Sequence, residues 1–200
     1  MKKLFKIIAV VLLIGTFSAC DELAKIANQA SQTLNLKNCT FDVTGVSNIN
    51  MLGINVSNGM NKSNLTASQL INVTNSLLNN KLPVTFNVNL DVDNPNSIAA
   101  SLGKMDYIIS LNNKEVISST LNNGFSIPAK SKGSVQIPIS TDLFQLFSGE
   151  TADAVLNLAF KLAGASSNPV NLGVKVKPYI KINNQSIAYP DYITINKVLE

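Results

Sequence analysis

The chain has no histidine and no tryptophan, and its 200 residues hold only two cysteines. Arginine is missing too, so every basic residue is a lysine. Without histidine, the usual base of a serine or cysteine triad is gone, and zinc would have to rely on cysteine and carboxylates, a poor ligand set. Without arginine or a basic stripe, the chain lacks the means by which proteins read nucleic-acid bases, so no nucleic-acid partner is expected. No Asp-x-Asp-x-Asp-Gly loop for calcium occurs, and no glycine-rich phosphate loop. The expectation is a protein that is not an enzyme and uses no cofactor and no metal. Charged residues make up only 14% of the chain, but hydrophobic residues reach 46%. That composition can bury a core and argues against global disorder.

What is present is concentrated at the start. Met1-Lys2-Lys3-Leu4-Phe5-Lys6 is a charged opening, Ile7 to Ile14 is almost wholly apolar, and Gly15-Thr16-Phe17-Ser18-Ala19-Cys20 follows. The apolar run is too short to span a bilayer and fits a signal peptide. A cysteine directly after Ser18-Ala19 resembles a bacterial lipoprotein signal, with Phe17 where leucine is usual. The resemblance implies cleavage between Ala19 and Cys20 and a lipid on Cys20. Residues 1–19 are then leader, 20–34 a lipidated tether or short helix, and 35–200 the folded domain. The expected location is the bacterial cell envelope, the outer membrane rather than the inner. Losing Lys2, Lys3 and Lys6 with the leader leaves 13 lysines against 12 acids, so the formal charge falls from +4 to about +1. The basicity of the whole chain is mostly that of its leader. With Cys20 lipidated, Cys39 has no partner for an internal disulfide and reads as a small buried hydrophobe.

Leu23, Ile26, Ala27, Ala30 and Leu34 recur at helical spacing. From Phe41 the pattern breaks into short runs: Phe41 and Val43, then Met51, Leu52, Ile54 and Val56. These read as strands. A helix near 66–80 is well marked. Thr66 and Gln69 form a capping box, Leu65 and Leu70 a hydrophobic staple, and Leu70, Val73 and Leu77 line one face beside Ile71 and Leu78. Val84, Phe86, Val88, Leu90 and Val92 then alternate strictly with polar residues, which puts five apolar side chains on one sheet face. Asn94-Pro95-Asn96 ends that strand. Asn112-Asn113 predicts a two-residue hairpin turn after Met105, Tyr107, Ile109 and Leu111. Asn122-Asn123-Gly124 marks another turn. Pro128 and Pro138 push the strands around Ile127 and Ile137 toward sheet edges. Asp142 to Phe147 reads as a short helical turn, and a second helix is expected near 151–163, stopped by Gly164. Leu172, Val174 and Val176 begin a closing hairpin, with Asn183-Asn184 as its turn and a return over Ile187 to Ile195.

Many short alternating strands joined by turns favour an antiparallel sandwich. The fold class read here is mainly β, with two inserted or capping helices. The segment Leu90-Asp91-Val92-Asp93-Asn94-Pro95-Asn96, with Met105-Asp106-Tyr107-Ile108-Ile109-Ser110-Leu111, Ile127-Pro128-Ala129 and Val135-Gln136-Ile137-Pro138-Ile139, resembles the group-2 late-embryogenesis-abundant family. Its module is also called the water-stress and hypersensitive-response domain. The likeness covers roughly residues 82–140, and the flanks look like bacterial lipoprotein members. It implies an immunoglobulin- or fibronectin-like β-sandwich with no catalytic residues and no cofactor.

Three groups invite a chemical reading and receive a plainer one. Asp91, Asp93 and Asp106 read as solvated sheet surface rather than a metal or acid–base cluster. Asn94-Pro95-Asn96 reads as a turn rather than a ligand loop. Tyr179, Tyr189 and Tyr192 read as packing or rim residues rather than a glycan-stacking site. The functional expectation is a membrane-anchored envelope lipoprotein that binds or supports an envelope protein or glycan, with a stress role open. The alternative is a carrier of a lipid or other apolar ligand, and a weaker third is a carboxylate glycan hydrolase. A pocket of several hundred Å³ would favour the carrier. A packed core with an exposed apolar patch would favour the interaction module.

Overall fold

The computed structural model describes residues 38–164, 169–182 and 185–199. The fold is mainly β, and the named strands pair antiparallel throughout. One sheet has the order β2-β1-β3-β8, built from β1 (Thr40–Met51), β2 (Ile54–Asn55), β3 (Pro83–Asn94) and β8 (Ser131–Asp142). The second has the order β10-β9-β5-β6, from β5 (Lys104–Leu111), β6 (Lys114–Leu121), β9 (Val170–Ile182) and β10 (Gln185–Ala188), with β11 (Ile193–Leu199) also on β9. A small ladder joins β4 (Ala100–Leu102) to β7 (Phe125–Ile127). Three α-helices lie among the described residues: α1 (Ala67–Leu78), α2 (Leu143–Leu146) and α3 (Ala152–Lys161). Two full helices are expected from the sequence, and α2 is the short turn that Asp142 caps by accepting from the Phe144 and Gln145 N–H groups.

The strict alternation in β3 does what its period requires. Val84, Phe86, Val88, Leu90 and Val92 are all buried, and β3 is central, with β1 on one side and β8 on the other. Met105, Tyr107, Ile109 and Leu111 of β5, with Leu172, Val174 and Val176 of β9, turn inward from the second sheet and join the same core. The two sheets thus share one apolar interior in a sandwich-like arrangement. Pro138 sits in β8, the outermost strand of its sheet, where the missing N–H interrupts no inner ladder.

Local chemistry sets the turns. Asn112 and Asn113 have φ of 48° and 64°, the left-handed pair that a type I′ hairpin needs, and Leu111 faces Lys114 across it. Gly124 is required for a different reason. A Cβ there would lie 2.6 Å from the Leu102 carbonyl oxygen. The broken pattern after Phe41 has a simple cause. β1 is one 12-residue strand with register shifts between Val43 and Gly45 and between Ser47 and Asn50, which move its side chains from face to face. β10 and β11 form an interrupted return strand. Ala188 faces Tyr179 and Ile193 faces Val176, so Tyr189, Pro190, Asp191 and Tyr192 bulge out opposite two residues of β9. The turn expected at Asn183-Asn184 lies outside the described residues, as do the leader, Ala19, Cys20 and the spacing pattern over Leu23 to Leu34.

The strand directions define two poles. At one, β1 begins and β3 ends: the Asn38 side chain donates to Asn96 at 3.1 Å, and Cys39 lies against Asn94. The other pole carries all three helices. The Leu82 N–H donates to Asp142 Oδ1 at 2.8 Å, and Gln145 Nε2 donates to the Asn80 carbonyl at 2.9 Å. A Lys62–Asp153 ion pair at 3.0 Å ties the approach to α1 to α3. A 12-residue strand separates the poles by about 40 Å.

Candidate functional site

The helical pole combines two features, an uncovered apolar helix face and a cleft. α1 starts as its sequence requires. Thr66 Oγ1 accepts from the Gln69 N–H at 3.3 Å, and Gln69 Oε1 accepts from the Thr66 N–H at 2.9 Å. Of its apolar residues only Val73 is buried. Leu77 is half-buried, whereas Leu70 is 37% exposed, Ile71 59% and Leu78 76%. Ile71 and Leu78 are two turns apart and therefore share a side of the helix. The apolar arc is wider than the strip that the core covers. No residue from Ala67 to Leu78 is charged.

The cleft, about 300 Å³, lies between the β5–β6 hairpin, the loop after α2, α3 and the start of β9. Phe147, Val155, Leu158 and Val170 form its floor, each no more than 6% exposed. Asn112, Lys114, Glu150 and Lys161 stand around it. The Lys114 ammonium lies 4.9 Å from the centre of the Phe147 ring. Asn112 ties the hairpin to neighbouring β9, its side-chain oxygen accepting from the Asn171 N–H at 3.1 Å.

The residues singled out from sequence fall elsewhere. Asp91 and Asp93 are on the outer face of the first sheet. Asp91 accepts from Ser134 Oγ at 2.5 Å, and Asp93 pairs with Lys132 at 3.2 Å. Asp106 is on the outer face of the second sheet, so the core lies between it and the other two. Among the described residues no group of three or more carboxylate or cysteine side chains is placed to share a metal. Asp106 accepts from Thr120 Oγ1 and from Tyr179 Oη, both at 2.6 Å. Partial burial pushes its pKa up, but those two hydrogen bonds, with Lys104 and Lys177 nearby, hold the carboxyl below its ordinary value. The hydrogen bond to Asp106 raises the Tyr179 phenol in turn.

Of the three tyrosines, Tyr179 and Tyr192 come near each other, with Lys104 over the first ring at 4.1 Å and Lys177 over the second at 5.5 Å. Tyr189 donates its N–H to the Pro178 carbonyl at 2.8 Å, closing the bulge. Asn94 is more than a turn residue. It is fully buried, and its amide donates to the carbonyls of Ile98, Ile127 and Pro128 at 2.9–3.0 Å, so one of its two hydrogens is shared. Its oxygen accepts from the Asn96 N–H at 3.1 Å and from Asn96 Nδ2 at 2.7 Å. Cys39 is buried, and burial, with Asp93 nearby, raises its thiol pKa.

Sequence reasoning marks α1 but not the cleft. Lys114 comes from β6, Phe147 from the loop after α2, and Leu158 and Lys161 from α3, and no spacing links the three segments. The exposed arc of α1 was visible as five apolar residues in a helix that can bury only one side.

A late embryogenesis abundant protein family model matches residues 89–188, half of the chain, and the protein belongs to that family. The match begins within β3, runs through the second sheet and ends at the last residue of β10. Among solved structures, a protein from Arabidopsis thaliana determined in solution is similar at 14% identity and a TM-score of 0.41, over 80% of each chain. A protein from Archaeoglobus fulgidus is similar at 13% identity and a TM-score of 0.33, over 58% of this chain and 83% of that one. No curated protein matches.

Proposed function

We propose that this chain is a non-enzymatic, membrane-anchored envelope lipoprotein that presents its helical pole to a protein partner. The observation that carries this reading is the disposition of the poles. The described chain begins at Asn38, at the pole opposite α1. On this reading the anchored segment enters the domain at the pole where β1 begins, and we place that pole toward the membrane. The apolar face of α1 then points away from the bilayer by the length of the sandwich, about 40 Å. Its occupant on this reading is a protein surface with an apolar centre and a polar, uncharged rim, because α1 offers Leu70, Ile71 and Leu78 among Asn, Ser and Thr. Covering the exposed parts of Ile71 and Leu78, 59% and 76%, would contribute about 1–2 kcal/mol each. Family membership is consistent with a binding or stress-related role. We read the sandwich as immunoglobulin- or fibronectin-like, supported by two facing antiparallel sheets.

The test is site-specific photo-crosslinking of the whole protein in its native membranes. A crosslinker at Ile71 or Leu78 should give one discrete protein adduct, and Ile71→Asn should abolish the adduct formed from position 78. The same crosslinker at Asn123, at the tether pole, should not give it. Lipid adducts from position 78 would reverse the proposed orientation. Adducts that Ile71→Asn leaves unchanged would remove α1 from the interface.

A carrier reading has one observation in its favour, the cleft. Its size is at the low end for small-molecule sites, and its floor is nearly covered. It offers room for a short apolar group rather than a long acyl chain.

A further inference from the structure

We infer that the cleft between the β5–β6 hairpin, the loop after α2 and helix α3 binds a small amphipathic anion, an oxyanion head on a short apolar body. The shape sets the size class. A volume of about 300 Å³ admits a compact molecule, and Phe147, Val155 and Leu158 give it an apolar base. The rim sets the charge class. Lys114 comes from the hairpin and Lys161 from the last turn of α3, and both line the same cleft from different elements. Neither makes an ion pair with another described residue. Lys114 is held over the Phe147 ring, so its cation stands at the edge of the apolar base, where the head of an amphiphile seated on that base would arrive. Asn112 adds a donor: its side-chain oxygen is engaged with the Asn171 N–H, which leaves the amide NH₂ for a ligand.

Glu150 narrows the class further. A carboxylate lining the same cleft repels a densely charged head and accepts from a hydroxyl or from a protonated oxygen. The fitting head is therefore singly charged, such as a carboxylate or a phosphate monoanion. This site is independent of α1: Ile71 and Leu78 do not line it. The domain then carries two separate binding features at one pole.

The probes are octanoate, octylammonium and octyl glucoside, which share an apolar body and differ in the head. Binding is read by calorimetry on the full chain carrying Cys20→Ser, which removes the acylation position. Octanoate should bind saturably, and the other two should bind at least about fivefold more weakly. Lys114→Gln and Lys161→Gln should each weaken octanoate about three- to tenfold, since each removes one charge-assisted contact. Both side chains lie at the surface, so the fold should survive. Ala154→Trp, on the exposed side of α3 that lines the cleft, should block octanoate by filling the space. Lys175→Gln, exposed on β9 and outside the cleft, should change nothing. Equal binding of octanoate and octylammonium would overturn the proposal. So would full affinity in the double lysine variant, or no saturable octanoate binding up to about 50 mM.

Discussion

Tyr179 Oη donates to Asp106 Oδ2 at 2.6 Å between neighbouring strands, and each group shifts the other's titration. Asp106 is held low, so its contribution to stability is present above the ordinary carboxylate pKa of about 3.9 and is lost as pH falls through the depressed value. Tyr179 is held high, so its contribution is present below about pH 10 and is lost as pH rises through the raised value. Asp106→Asn should bring one of the four tyrosines back toward the ordinary value in a tyrosinate absorbance titration. Tyr179→Phe should flatten the loss of stability below about pH 4. A titration identical in wild type and Asp106→Asn would show that the hydrogen bond does not persist in solution.

Asn94 should prove the most costly polar residue to remove. Its amide serves three carbonyls at the pole where the described chain begins. Asn94→Ala leaves them in a site with no solvent access and should destabilise the protein by about 2–4 kcal/mol in urea unfolding. Asn96→Ala, at a half-buried neighbour, should cost less. The reverse order would mean that the buried carbonyls find other donors.

Adjacent residues on β3 provide a direct check of its inner and outer faces. Phe86 is 1% exposed and faces the core, and Phe86→Ala should cost about 3–5 kcal/mol. Asn87 is on the outer face, in a 3.3 Å contact with Gln136, and Asn87→Ala should stay within about 0.5 kcal/mol. Similar midpoints for the two variants would contradict the inward face of β3.

The anchor has its own test, independent of the folded domain. Cys20→Ala should release the protein from membranes or leave its leader uncleaved, because acyl chains supply membrane affinity at about 0.8 kcal/mol per buried CH₂. Intact mass of the native protein should show a modified Cys20 at the mature N-terminus. An unmodified Cys20 in native membranes would end the lipoprotein reading.

Where one local rule governs, the sequence was sufficient. The period of two in Val84 to Val92 places β3's inner face, because neighbouring side chains on a strand must point to opposite sides. The Thr66–Gln69 box starts α1, and Asn112-Asn113 turns the β5–β6 hairpin, because capping and positive φ depend on residues a few positions apart. β1 resisted the same reasoning, since its bulges shift the register and erase the period. The acids show the other limit. Asp91 and Asp106 look alike in sequence, yet one lies on each sheet, and only the sheet order sets the core between them. Asn94 reads as a turn former, but its burial depends on Ile98, Ile127 and Pro128 closing over it from β4's approach and the end of β7. The cleft exists only because Lys114, Phe147, Leu158 and Lys161 meet at one pole. Their meeting is set by long-range strand pairing and helix docking, which no local spacing encodes.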